Sequence, residues 1–329
     1  MESSLNRRAM LGAMVGAGTS LIVSGPLMAQ ANSWPNRPVR VIIPFPGGAS
    51  DVLTRLVMEK LQTTLHGTFF GDVRSGAGGN IGMEAAKSAA PDGYTAASAT
   101  IGTLSINQFL FPKLPYDPVA DFAYVSRFWE GVSGLIVPAS NPANTVQEFL
   151  SALRKQPKIS FGSPGVGTAG HLSGELFRLR TELPGAVHIP YRGAAQAVPA
   201  LAGGEVDFAI DNVGSFSSLI QAGRVKLLGV STAARWPTLP NVPTLIEAGV
   251  KDFVTTSWGT MVMPKNTPAE IVEKLSLGIQ TVCSDAGVQQ RFADMGLRAL
   301  VSSPAEAMQY AELERVKWKE VIRVANVTV

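Results

Sequence analysis

Apolar residues follow two periods along this chain, and each change of period falls at a glycine- or proline-rich turn. Val39 to Ile43 is a β-branched run that ends in Pro44-Phe45-Pro46 and Gly47-Gly48. From Asp51 to His66, Val52, Leu53, Leu56, Val57, Leu61 and Leu65 fall on one helical face. The pattern predicts a buried strand, a loop and an amphipathic helix, with Ser50 or Asp51 placed to cap it. Thr68 to Arg74 reads as a second strand, Ser75 to Asn80 as a glycine turn, and Ile81 to Ala90 as a small-residue helix. Tyr94 to Ala99 reads as a third strand, and Ile101-Gly102-Thr103 opens a helix to Phe111. Three strand–loop–helix units in succession predict a parallel sheet with its loops gathered at the carboxyl edge.

Past the proline-rich stretch Pro112 to Pro118, Phe122 to Trp129 and Val132 to Pro138 read as two strands parted by Glu130-Gly131. A second alternating series follows. Helices are expected over Thr145–Lys155, where Thr145 and Glu148 have capping-box spacing, and over Thr168–Arg180, Ala194–Ala202 and Gly214–Ala222. Strands are expected over Lys158–Ser163, Ala186–Tyr191, Val206–Asp211 and Val225–Ser231. Thr244 to Ala248 reads as a short helix and Phe253 to Met263 as an extended return to the first unit. Helices over Pro268–Val282, Ala286–Met295 and Pro304–Ala325 complete the chain. The expected fold class is α/β, with two lobes, two inter-lobe crossings and a cleft between their loop edges. The lobes are expected at 32–130 with 254–329, and at 131–253. Such clefts take small ligands.

The first 31 residues are excluded from this fold. Arg7-Arg8, an apolar run from Ala9 to Met28, and Ala29-Gln30-Ala31 form a signal peptide with Asn32 as the mature start. The paired arginines also suit a twin-arginine export signal, with Sec export the alternative. No later stretch is long and apolar enough to span a bilayer, so an exported, soluble mature chain is expected. The 329 residues are 46% hydrophobic and 16% charged, which supplies ample core without a disorder signature. Net charge is +3 and no basic stripe exists, so a nucleic-acid partner is not expected. Cys283 is the sole cysteine; it can form no internal disulfide and sits at apolar helical spacing, as a buried structural thiol would.

Catalytic motifs fare poorly. Gly165-Val166-Gly167-Thr168-Ala169-Gly170 has the G-x-G-x-x-G form after a strand and before a helix, as a dinucleotide site requires. The next strand, however, ends His188-Ile189-Pro190-Tyr191-Arg192, which lacks the ribose-binding acid, although Arg192 would suit a 2′-phosphate. Ser163 lies in Gly-Ser-Pro-Gly, which is not a nucleophile elbow, and Pro164 removes an oxyanion-hole N–H. Three histidines without His-x-x-x-His spacing give no support for a metal site, and no cofactor is expected. What remains is a set of helix starts fed by small-residue loops: Gly47–Asp51, Gly78–Ile81, Ile101–Thr103 and Gly165–His171. None contains lysine or arginine. Backbone N–H groups, helped by the Ser50, Thr103 or Thr168 hydroxyls and the helix dipoles, can hold a carboxylate there. His171 is the one titratable group in the Gly165–His171 loop, with contact to a ligand and packing under the loop both open. Asp211-Asn212 ends a strand at the same cleft, either ordering water and ligand or making an Asx turn.

Several segments, taken in order, resemble the Bug-type extracytoplasmic solute-binding proteins of tripartite tricarboxylate transporters. They include Trp34 to Phe45, Gly76 to Gly82, Ala90 to Thr95, Leu114 to Pro118, His171 to Phe177, His188 to Gly193, Asp211-Asn212, Leu239 to Thr244 and Thr256 to Trp258. The resemblance implies a type II Venus-flytrap fold in the periplasm, closing without catalysis on a small organic acid. That acid could be a mono-, di- or tricarboxylate, an amino acid or an aromatic acid. It implies a monomer that hands its ligand to membrane permease subunits or, in some relatives, signals through a sensor kinase. The expected ligand contacts are Phe45, Gly47, Gly48, Ala49, Ser50 and Asp51 in the first loop, and Gly102 and Thr103 after the third strand. In the second lobe they are Ser163, Gly167, Thr168, Ala169, His171 and Asp211. The first loop, Pro44-Phe45-Pro46-Gly47-Gly48-Ala49-Ser50-Asp51, is one residue shorter than the usual family pattern. An exported NADP-dependent oxidoreductase and a receptor that only signals are the alternatives.

Overall fold

Strand β1 (Val39–Ile43) is buried along nearly its whole length, as a β-branched run in the middle of a sheet should be. The computed structural model containing it describes residues 34–325 and 327, so the expected signal peptide lies outside the described residues. After β1 the chain forms α1 (Ala49–Thr64), β2 (Phe69–Val73), α2 (Asn80–Lys87) and β3 (Thr95–Thr100). β1 pairs in parallel with both β2 and β3, the arrangement the repeated strand–loop–helix pattern predicts. α3 (Asn107–Leu110) leads to β4 (Phe122–Pro138), followed by α4 (Val146–Leu153), β5 (Ile159–Ser163), α5 (Ala169–Arg180), β6 (Ala186–Pro190) and α6 (Ala194–Ala202). Next come β7 (Ala209–Asn212), α7 (Ser217–Gln221), β8 (Val225–Val230) and β9 (Thr256–Pro264). The chain closes with α8 (Ala269–Ser284), α9 (Ala286–Asp294), β10 (Leu297–Ala299) and α10 (Pro304–Ala325).

The result is a two-lobed α/β fold. An eight-stranded sheet runs β10-β4-β9-β3-β1-β2, with β7 and β8 also on β4, while β5 and β6 form a parallel pair. Phe122 to Val132 of β4 pair antiparallel with β9, and Ser133 to Pro138 pair with β7 and β8. β4 therefore enters both halves of the structure. The expected break at Glu130-Gly131 does not occur. Gly131 is held in the ladder by pairing with Ser257 of β9 and Leu297 of β10, and it must be glycine: a β-carbon there would stand 2.5 Å from Leu297 Cδ2 and 3.0 Å from Ser257 Oγ. A glycine in a strand often marks such a close approach.

Other local expectations also change. The helix expected over Ile101–Phe111 opens instead as a π turn over Gly102–Ile106 before the single α turn of α3. Buried Arg315 on α10 donates to the Leu104 carbonyl oxygen inside that turn, and π turns recur at functional sites. Gly214–Ala222 divides into a 3₁₀ turn (Val213–Phe216) and α7. Thr244–Ala248 closes one turn and goes no further, although Thr244 and Glu247 exchange capping hydrogen bonds. β10 has no counterpart in the sequence reading; its three residues are too few to show a period. At α1 the N-cap is Gly48, without a side-chain cap. Asp51 reaches back to Gly47 N–H instead (2.9 Å) and pairs with Arg55 (2.6 Å). The cap at Thr145 forms as expected, and Thr168, expected as a ligand contact, also caps α5.

Around β1 and α1, Leu53, Val57 and Leu61 pack against Leu275 and Ile279 of α8 and Phe128 of β4. In the other lobe Phe149, Phe161, Phe177 and Phe208 stack and tilt on one another at centroid separations of 5.5–5.8 Å. Burying one such ring is worth about 1.5–3 kcal/mol, so this cluster fixes how β5, β7 and α5 sit. Cys283 is buried, donates weakly to the Phe128 carbonyl oxygen, and has its thiol pushed up to about 12 by burial.

Candidate functional site

Two helix starts and one strand end converge on an open cavity of about 80 Å³. The first is the start of α1, where β1 stops and Gly47, at φ +76°, turns the chain. The second is the start of α5, reached from β5 through Gly165 and Gly167, at φ +142° and +79°. The third is the end of β7, which delivers Asp211 and Asn212. The first N–H groups of a helix have no intrahelical acceptor and carry the positive end of its dipole, so both helix starts favour an anion.

Of the residues expected to touch a ligand, Phe45, Gly48, Ala49, Ser50, Thr168, Ala169 and Asp211 line the cavity. The others stand behind it. Gly47 packs on α6, where a β-carbon would come within 2.7 Å of Ala195 Cβ. Asp51 is engaged with Gly47 and Arg55. Gly102 faces the Gly167 carbonyl oxygen, and Gly167 in turn sits against Asn107. The hydroxyl of Thr103 donates to the Thr100 carbonyl oxygen (3.1 Å) and accepts from Thr100 N–H (3.0 Å). Ser163 Oγ braces Gly165 (3.1 Å) and meets His188 Nε2 at 2.7 Å. His171 Nδ1 accepts from Gly167 N–H at 3.2 Å, so it supports the loop from beneath.

The two histidines form a stacked pair with centroids 4.0 Å apart. Burial holds His171 down at about 4, and burial together with the neighbouring His171 holds His188 down at about 3; both rings are neutral near pH 7. Asp211 behaves in the opposite sense. Burial pushes its carboxyl up to about 7 despite a 2.7 Å hydrogen bond from Asn212 N–H. Gly170 at the start of α5 lies directly against that carboxyl: a β-carbon there would be 3.0 Å from Asp211 Cγ.

Hydroxyl bookkeeping separates the three candidates. Thr168 Oγ1 donates to the Gly165 carbonyl oxygen (2.7 Å) and accepts from His171 N–H (3.3 Å). Its single proton is spent, as is that of Thr103. Ser50 Oγ is buried at the cavity wall with no partner, and so is Trp129 Nε1. Sequence reasoning placed Asn212 at the cleft with Asp211 but missed Trp129, Trp258, Ser215 and Ser257 as ligand-facing residues; all five line the cavity. The β4–β9 pairing brings Trp129 to the cavity opposite Gly259, and no local motif encodes that register. No lysine or arginine lines the cavity. Among the described residues no group of three or more His, Cys, Asp or Glu side chains could hold a metal ion, and no helix is long and apolar enough to cross a membrane.

Segments far apart in the chain touch around this cavity. Ala49 N–H donates to Ser215 Oγ at 3.3 Å, and Gly48 lies against Ala194. A wider opening of about 380 Å³, sharing Phe45 and Pro164 with the cavity, lies between the Gly76–Gly79 turn and Tyr191-Arg192-Gly193.

Residues 53–327 match the family model described as tripartite tricarboxylate transporter family receptor. The chain belongs to this family. The receptor is also similar in structure to Rpa4515 of R. palustris, solved with adipate, at TM-score 0.87 and 33% identity over 90% of this chain and 99% of that one. The periplasmic binding protein BugD gives TM-score 0.86 and 30% identity, again over 90% and 99% of the two chains. MatC of Rhodopseudomonas palustris, solved with malate, gives TM-score 0.83 and 29% identity over 88% and 100%. The receptor is thus a member of a family of periplasmic solute-binding proteins.

Proposed function

We propose that this receptor captures a small organic carboxylate in the inter-lobe cavity and presents it to the membrane subunits of a tripartite tricarboxylate-type transporter. The observation that carries this reading is the pairing of two helix starts with an unspent Ser50 hydroxyl, in a cavity without cations. A carboxylate accepts from all three, whereas a cation would find no acidic cluster among the described residues and the wrong ends of two dipoles. The adipate and malate bound by its relatives agree with that chemistry. Lobes at 32–130 with 254–329, and at 131–253, close on the acid as β4 and β9 carry the chain across. Export to the periplasm through residues 1–31, with the receptor acting as a monomer, completes the reading.

Ser163 and His188 are close, but both lie behind the loop and neither faces the cavity. The dinucleotide alternative lacks a ribose-binding acid: the strand after α5 runs out through His188-Ile189-Pro190-Tyr191-Arg192. A panel of mono-, di- and tricarboxylates, amino acids and aromatic acids tests the reading by thermal unfolding. At least one acid class is expected to raise the melting temperature, because a ligand that prefers the native state stabilises it. Stabilisation by NADPH with none from any acid would reverse the assignment.

A further inference from the structure

Five tryptophans occur in the chain, and two of them form walls of the cavity. Their indole N–H groups are in different states. Trp258 Nε1 donates to Glu314 Oε2 at 3.3 Å, as a buried indole normally must. Trp129 is only 3% exposed, yet its Nε1 has no partner. An indole is a donor only, so no second role explains the omission, and leaving such a group unpaired costs about 1–3 kcal/mol.

The strand register shows that the indole is deliberately accommodated. Trp129 pairs with Gly259 across β4 and β9, beside a ladder irregularity between Arg127 and Trp129. A β-carbon on Gly259 would stand 2.0 Å from Trp129 Nε1, so the ring lies flat on the glycine. Phe45, Ile101 and Trp258 make the adjoining walls apolar. Nearby polar groups have other commitments: Asn212 Nδ2 donates to Ser257 Oγ (2.8 Å), which donates to the Gly131 carbonyl oxygen (3.3 Å).

We infer that Trp129 is a specificity-determining residue whose indole N–H receives a second oxygen of the ligand, at a point separate from the carboxylate grip. The ligand is then a short acid with an apolar middle and an additional oxygen acceptor, whether carbonyl or carboxyl. This inference rests on the carboxylate reading above. A plain alkyl acid leaves the indole unpaired and is rejected for that reason.

Calorimetric titration of the full mature chain with pentanoate, 4-oxopentanoate and pentanedioate tests it. Wild type is expected to bind at least one oxygenated acid about tenfold more tightly than pentanoate, the value of one hydrogen bond left unmade. Trp129→Phe, which keeps an aromatic side chain and loses the donor, is expected to erase that preference, read as the ratio of oxygenated-acid to pentanoate affinity within the variant. The wild-type indole N–H proton resonance is expected to shift on adding the preferred acid and not on adding pentanoate, a readout independent of how well the variant folds. Equal wild-type binding of all three acids, or a preference that survives in Trp129→Phe, would overturn the role of Trp129 while leaving the carboxylate reading intact. Failure of all three, and of the wider acid panel, would overturn both.

Discussion

Gly102 and Gly167 meet across the cleft with no space for a side chain: a β-carbon on Gly102 would stand 2.8 Å from the Gly167 carbonyl oxygen. The contact joins the π turn after β3 to the loop before α5 and so helps to hold the lobes together. Gly102→Ala is expected to wedge them apart at a cost of about 1–3 kcal/mol, a typical overpacking cost. Acid affinity should fall roughly 5- to 150-fold. Small-angle scattering of the acid-saturated variant should report a larger radius of gyration than acid-saturated wild type.

Ser50 and Thr103 both offer hydroxyls near helix starts, but only Ser50 has one to give. Ser50→Ala is expected to weaken acid binding by about 10- to 100-fold, the range for a hydrogen bond to a charged group, and to leave thermal stability within error. Thr103→Val should do the reverse. It strips the bonds to Thr100, lowers the melting temperature, and leaves the affinity of the folded fraction near wild type. Parallel melting and titration curves distinguish the two.

The folded-state pKa of Asp211, about 7, lies above the ordinary 3.8, so the folded protein holds this proton more tightly than the unfolded chain does. Its stabilising contribution is complete below about 3.8 and is lost as pH rises through 7. Asp211→Asn, which cannot ionise, should therefore gain on wild type as pH rises from 4 to 8.5, by at most about 4 kcal/mol. Denaturant titrations at several pH values check the sign. A gap that widened toward low pH would contradict it.

The stacked histidines titrate with the opposite sign. Their folded pKa values, about 4 for His171 and about 3 for His188, lie below the ordinary 6.5, so the stabilisation is present above 6.5 and lost as pH falls toward 4 and 3. His188→Gln keeps a hydrogen-bonding group for Ser163 but accepts no proton. It should flatten the acid limb of the stability curve, measured by chemical denaturation between pH 7 and 4.

The parts of the site that could be read from sequence are those written in adjacent residues. Gly47-Gly48, the start of α1 and the Thr168 cap lie within short segments whose turn and cap chemistry is local. The π turn at Gly102 was not legible, because its cause is partly remote: Arg315 of α10 binds a carbonyl inside it. Trp129 was hidden for a similar reason. Alternation can assign it a face of a strand, but its position in the cavity depends on Gly259, far along the chain. Hydroxyl counting was equally out of reach, since Thr103 and Thr168 differ from Ser50 only in what their protons already meet. At the domain scale, Glu130-Gly131 looked like a stop because a glycine next to a charge usually is one. Pairing with β9 and β10 on either side made it a strand.

Because β4 runs unbroken from one half of the sheet into the other, it acts as a torsion bar, with β9 laid along its first half. Lobe opening must twist this ribbon, since bending it sharply would tear a ladder of backbone hydrogen bonds. Gly131, at the seat of that bar, has no room for a side chain; any substitution there must displace Leu297 or the Asn212 amide that lines the cavity.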